Sequence, residues 1–211
     1  MALAAPAPLY LQPRPSAQAR LVLLHGWGAD ADDLMMLGAS LAQRIHFPLD
    51  VVALPAPEAH PQGIGRQWYG LFPAQWEAVP AAQASLRARL LALAEEGIPL
   101  ESTVVLGFSQ GAAMALSTGC GLPLAGLISC SGYPHPGWEA PITRPPVLLL
   151  HGREDEVVPS NAAEALVSLL KASPAGLNLE LFSGGHTIPE SSFTTMSKAL
   201  DTWLNKPGVE G

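Results

Sequence analysis

The stretch "VVLGFSQGAAMALS" (104–117) places one serine at a joint between two apolar segments. A β-branched run ends at Gly107, Ser109 follows, and Gly111 opens an Ala-rich stretch with helical character. The pattern is G-x-S-x-G. A nucleophile on a tight strand-to-helix turn needs small neighbours, because bulkier side chains beside a strained backbone would clash. Such a turn pushes the hydroxyl out of the sheet, and the positive end of the next helix favours an oxyanion beside it. A helix N-cap serine in a glycine-rich turn would give the same five residues.

A nucleophilic serine needs a base, and the base needs an orienting carboxylate. With the chain order Ser, then Asp or Glu, then His, the candidates can be eliminated one by one. Of six histidines, only His135, His151 and His186 follow Ser109. Asp155, in "LLLHGREDEVVP", is the one aspartate between Ser109 and His186. Glu154 and Glu156 flank it and would serve only with a shifted loop. His151 precedes the acid, and its "HG" suits a strand-end turn. His135, in "GYPHPGW", suits a surface loop. His186, in "FSGGHTIP", again follows an apolar run and precedes a helical one. Ser109, Asp155 and His186 are therefore the expected nucleophile, acid and base. All three fall at the carboxyl ends of expected strands, where open α/β sheets build their sites.

An oxyanion hole needs two backbone donors. One is the amide after the nucleophile, Gln110, and the other comes from a loop after an earlier strand. "LLHGWGAD" (23–30) has that form, with the Trp27 amide as donor between two glycines. The same residues, "GWGADA", also fit a dinucleotide fingerprint. That reading wants an acidic residue at the end of the next strand, and Asp50 precedes "VVAL" instead.

The elements that must position these residues alternate. Apolar runs bounded by Gly or Pro occupy 20–26, 50–54, 102–108, 124–132, 145–152 and 177–185. Short runs of this kind suit strands buried on both faces. Helical segments lie between them at about 30–44, 80–96, 109–119, 159–172 and 189–204. In the second, Leu86, Leu90 and Leu93 form one stripe, with Pro80 at the start and Gly97 at the end. The alternation predicts an α/β fold, with a mostly parallel central sheet and helices on both faces. Residues 1–211 are expected to form one such domain, with 1–18 a short irregular N-terminal segment. Residues 55–80 are rich in Pro, Gly and aromatics and read as a long, functional loop. Within that loop and beside the base, Trp68, Tyr69, Phe72 and Ile188 are candidate substrate-binding residues. Trp68 could equally pin the loop to the body.

Composition excludes several classes. With 211 residues and 48% hydrophobic content, the chain buries a core without a metal or disulfide staple. A formal net charge of −7, with no Lys/Arg run, disfavours nucleic acid and anionic membrane surfaces. Two cysteines outside any C-x-x-C pattern read as small buried residues and suit a cytoplasmic home. The N-terminal residues lack a basic segment and a long apolar run, so neither a signal peptide nor stable membrane insertion is expected. No H-E-x-x-H or Cys/His spacing is present, so no metal and no cofactor is implied.

Together, "LLHGWGADADDL", "GFSQGAAMAL", "SGYPH", "HGREDEVVP" and "GGHTI" resemble the phospholipase/carboxylesterase family of α/β-hydrolases, whose relatives include acyl-protein thioesterases. The resemblance spans roughly residues 20–204. It implies a compact α/β-hydrolase with little or no lid and repeats the roles of Ser109, Asp155, His186, Trp27 and Gln110 given above. "GRQWYGLF" (65–72) resembles a bacterial esterase branch rather than the eukaryotic depalmitoylases. The implied activity is serine carboxylesterase chemistry on carboxylic esters or thioesters through an acyl-enzyme. Long-chain acyl-protein thioesterase or lysophospholipase activity is an alternative, and a non-catalytic binding module on the same scaffold is another. The expected partner is a small acyl ester or thioester, and the protein a monomer or homodimer.

Overall fold

A computed structural model describes residues 6–11 and 16–205. The strands are β1 (Leu9–Tyr10), β2 (Ala19–Leu24), β3 (Leu49–Leu54), β4 (Glu58–Ala59), β5 (Arg66–Gln67), β6 (Thr103–Phe108), β7 (Gly126–Cys130), β8 (Val147–Gly152) and β9 (Leu177–Phe182). The α-helices are α1 (Met35–Arg44), α2 (Val79–Ala94), α3 (Gln110–Gly119), α4 (Asn161–Leu170) and α5 (Phe193–Leu204).

Seven strands form one sheet in the order β1-β3-β2-β6-β7-β8-β9. All pairs are parallel except β1 with β3. β2, β3 and β8 are buried along their whole length, which is why their sequences read as continuous apolar runs instead of alternating ones. Successive side chains still point to opposite faces. Val22 and Leu24 join one core with Leu86, Leu90 and Leu93 of α2, Met114 of α3 and Leu166 of α4. Leu21 and Leu23 join a second core with Leu41 of α1 and Leu200 of α5. The sheet thus lies between two helical layers, and the carboxyl ends of β2, β6, β8 and β9 open on one edge.

The expected helices are found, with their edges trimmed. Residues 31–34 and 190–192 form single 3-10 turns ahead of α1 and α5. Two features depart from the expected loops. Leu9–Tyr10, inside the segment expected to be irregular, adds an antiparallel edge strand; residues 1–5 and 12–15 of that segment lie outside the described residues. Within 55–80, β4 and β5 pair as a small antiparallel hairpin. Among the described residues no helix is long and apolar enough to cross a membrane.

Candidate active site

Ser109 joins β6 to α3 with φ 54° and ψ −118°, a strained conformation for a residue with a Cβ. Sheet and helix impose it. The Ser109 amide donates to the Cys130 carbonyl at 2.9 Å, while its carbonyl accepts from Ala112 and Ala113 of α3 at 3.0 and 3.1 Å. The flanking glycines make room for the turn. A Cβ on Gly107 would collide with the backbone of Gly111, and one on Gly111 with the carbonyls of Leu24 and His25.

The turn aims the hydroxyl at His186. Ser109 Oγ lies 3.0 Å from His186 Nε2, and His186 Nδ1 lies 2.8 Å from Asp155 Oδ2. A carboxylate only accepts, so Nδ1 carries the proton and Nε2 is left to accept from Ser109. Asp155 Oδ1 accepts from the amides of Val157 and Val158, at 3.0 and 2.8 Å, which fixes the carboxylate in its loop. Burial alone would raise the Asp155 pKa. Hydrogen bonds from His186 and the Val158 amide outweigh it and hold the group below its ordinary value. The Ser131 hydroxyl acts in the same direction, although it falls short of hydrogen-bond geometry. The Phe108 ring packs on the His186 imidazole, with centroids 4.8 Å apart.

Three of the alternative acids and bases, His151, Glu154 and His135, have hydrogen-bond partners of their own. His151 Nε2 donates to the Val158 carbonyl at 2.8 Å and supports the acid loop. Glu154 accepts from the Gly184 amide. His135 Nε2 shares a 2.8 Å hydrogen bond with the Tyr69 hydroxyl. Asp50 is ion-paired with buried Arg20 at 2.7 Å, which removes the acidic group a dinucleotide site would need.

The loop carrying Trp27 reaches the serine: a Cβ on Gly26 would sit 3.4 Å from Ser109 Cβ. The hairpin holds this loop from behind. Gly28 N donates to Arg66 O, and Arg66 N donates to Ala29 O, each at 2.8 Å. The Trp27 indole donates to Gln67 Oε1 at 3.0 Å, and the His60 and Phe72 rings stand edge-on to it. Gln110 is the first residue of α3, so its amide has no acceptor within the helix.

The four candidate substrate-binding residues separate. Trp68 and Tyr69 are only 2% and 0% exposed, so neither offers surface to a ligand. Trp68 instead pins the loop: its indole donates to the His25 carbonyl at 3.0 Å. Phe72 is 82% exposed. Ile188 lines a cavity of about 270 Å³ with Leu34, Leu37, Phe108 and His186. Three features were not read from the sequence: the Gln110 side-chain bonds, the Phe108 ring on the imidazole, and the positive φ of Ser131. A GFSQG string names Phe108 and Gln110 but gives no direction to either side chain.

The phospholipase/carboxylesterase family profile matches residues 9–204. The chain belongs to the phospholipase/carboxylesterase family. Its members are serine hydrolases acting on esters, and the parallel sheet described above is their α/β-hydrolase fold. Among solved structures similar to this chain is esterase PE8, 32% identical, with a TM-score of 0.81 over 97% of this chain and 100% of that one. The Bacillus cereus carboxylesterase, 20% identical over 92% of this chain and 93% of its own, shares the fold with a TM-score of 0.79. Acyl-protein thioesterase 1 of Eremothecium gossypii is 39% identical over 103 residues, 44% of this chain and 44% of its own length. The chain thus spans less than half of that relative. It spans 70% of the Yarrowia lipolytica acyl-protein thioesterase 1, at 28% identity and with 66% of this chain covered.

Proposed function

We propose that the protein is a serine carboxylesterase that works through an acyl-enzyme on Ser109. The observation that carries this reading is the unbroken hydrogen-bonded line Ser109–His186–Asp155, at 3.0 and 2.8 Å. His186 Nε2 takes the Ser109 proton as Oγ bonds to the ester carbonyl carbon. The Trp27 and Gln110 amides donate to the resulting oxyanion. As the tetrahedral adduct collapses, His186 returns the proton to the leaving alcohol oxygen. Water then attacks the acyl-enzyme, giving its proton to His186, and the acid leaves as Ser109 is reprotonated. Asp155 keeps the imidazole in the required tautomer and stabilises its charged form.

The cavity lined by Ile188, Leu34 and Leu37 borders the base, so it suits the alcohol portion whose oxygen His186 must protonate. At about 270 Å³ it accepts a small group. The acyl chain is assigned to the other side of the reacting carbon, with the exposed Phe72 ring, edge-on to the Trp27 indole, as the apolar surface it would meet. The similarity to acyl-protein thioesterases favours a second reading, in which that side takes long acyl chains. Both cysteines are free and buried, which supports a reducing, cytoplasmic setting.

The test is kcat/KM across p-nitrophenyl esters from acetyl to palmitoyl, with Ser109→Ala as the blank. Each buried methylene is worth about 0.8 kcal/mol, roughly fourfold in rate. A peak at short chains marks a small-ester hydrolase, and a steady rise to long chains marks the thioesterase-like reading. No Ser109-dependent turnover on any ester would overturn both.

A further inference from the structure

Gln110 has two parts with two tasks. Its main-chain amide is one of the two proposed oxyanion donors. Its side chain is wholly buried and points away from that amide into the loop after β5. There it behaves like a neighbouring strand. Oε1 accepts from the Trp68 amide at 3.0 Å, and Nε2 donates to the Tyr69 carbonyl at 2.7 Å. One amide group thus serves a donor and an acceptor on consecutive residues, and flipping it would oppose like to like at both ends.

The connection continues from Trp68. Its indole N–H donates to the His25 carbonyl at 3.0 Å. The His25 ring then donates from Nδ1 to the Gly26 carbonyl at 2.7 Å and accepts the Ala56 amide on Nε2 at 2.9 Å. The Gly26 carbonyl and the Trp27 N–H belong to one planar peptide unit. Holding that carbonyl therefore sets the direction of the second oxyanion donor.

We propose that the Gln110 side chain and the Trp68 indole form a strap that fixes the two oxyanion-binding amides relative to one another. Both side chains act by positioning, and neither side chain touches substrate. The strap rests on the esterase reading above, because it needs an oxyanion to serve. Its hydrogen bonds lie among buried groups, where water cannot replace a lost partner. Catalysis is sensitive to such placement, since a shift of about 1 Å can cost on the order of a hundredfold in rate.

Two variants interrupt the strap at different links. Gln110→Met keeps an unbranched chain of similar length and removes both side-chain bonds. Trp68→Phe keeps an aromatic ring and removes the indole donor. For each, kcat and KM are measured on the preferred p-nitrophenyl ester. Inhibition by a trifluoromethyl ketone of the same acyl chain is measured beside them, because its adduct with Ser109 places an oxyanion between the two amides. The expected result is a fall in kcat of about 10–100-fold, below the cost of deleting a donor outright. KM should stay within about threefold of wild type, and the ketone should weaken by the factor lost in kcat/KM. Loss of stability alone would not produce that parallel. Should Gln110→Met fail to fold, Trp68→Phe carries the test. Both kcat and ketone affinity within threefold of wild type would overturn the strap, provided wild type hydrolyses the ester and reacts with a fluorophosphonate at Ser109. An inert wild type would instead overturn the esterase reading, and the strap with it.

Discussion

Gly107 and Gly111 are in backbone contact across the turn that carries Ser109. A Cβ on Gly107 would meet the Gly111 carbonyl and the Ala112 nitrogen, which are main-chain atoms with no rotamer to adjust. Relief requires β6 and α3 to separate, and Ser109 would move with them. Gly107→Ala is expected to lose stability by about 1–3 kcal/mol, in the range of an overpacked core. The urea midpoint reads the loss. Fluorophosphonate labelling of the protein that remains folded should also slow. An unchanged midpoint with unchanged labelling would show that the turn has slack.

Asp155 tests the acid separately from the fold. Asp155→Asn keeps the shape but lets Nδ2–H face His186 Nδ1, which favours the wrong imidazole tautomer. We expect kcat to fall about 10³–10⁴-fold with little change in KM. The stability effect has a defined sign. Asp155 has its pKa depressed in the folded protein, so its ionised form stabilises the fold above the ordinary carboxylate value of about 3.9. That contribution disappears as pH falls through the lower folded value. The wild-type advantage over Asp155→Asn in urea should therefore be present at pH ~7 and shrink as the solution is acidified below pH ~4. An advantage that grows on acidification would reverse the assignment.

The strand ends were the legible part of this molecule. Ser109, Asp155 and His186 each follow closely on an apolar run that ends at or near Gly, so chain order together with strand-end context narrowed the choices to three side chains, which the structure brings within hydrogen-bond distance. The Leu86, Leu90, Leu93 stripe could be read because a helix repeats every 3.6 residues and all three leucines are buried. The hairpin could not be read. Its strands are two residues long, set among Pro and Gly, and too short to show any period. Nor could the sidedness of the aromatics be read: Trp68 and Phe72 are equally apolar, yet one is buried and the other exposed. Gln110 meets partners 42 and 41 residues away, a relation with no local signature.

His135 makes acid stability a measurable property. Burial lowers its pKa from 6.5 to about 4. Between those values the unfolded chain binds a proton that the folded protein refuses. Stability is therefore lost as pH falls from ~6.5 toward ~4, by on the order of 3 kcal/mol from this residue. His135→Gln retains a group able to bond the Tyr69 hydroxyl but does not titrate. Its urea midpoint should fall less than that of wild type between pH ~7.5 and ~4. Burial also lowers the His25 pKa, but His25 is common to both proteins and cancels in the difference. Equal acid losses in the two proteins would place the responsible group elsewhere.

Ile188 probes which half of an ester meets the cavity beside the base. It lines that cavity with Leu34 and Leu37, next to the His186 imidazole, the proposed proton donor to the leaving oxygen. Ile188→Trp would fill much of the space. If the alcohol portion enters there, methyl and ethyl esters of one acid should be hydrolysed nearly as before, while butyl and benzyl esters lose rate. Several methylenes, each worth about 0.8 kcal/mol of burial, set the scale at 10-fold or more. Varying the acyl chain on a methyl ester should leave the ratio of variant to wild type flat, because that chain extends from the opposite side of the carbonyl. The two series, read as kcat/KM, separate the assignments. A ratio that falls with acyl length and stays level with alcohol length would move the acyl chain into this cavity. The base would then have to reach the leaving oxygen from the Phe72 side.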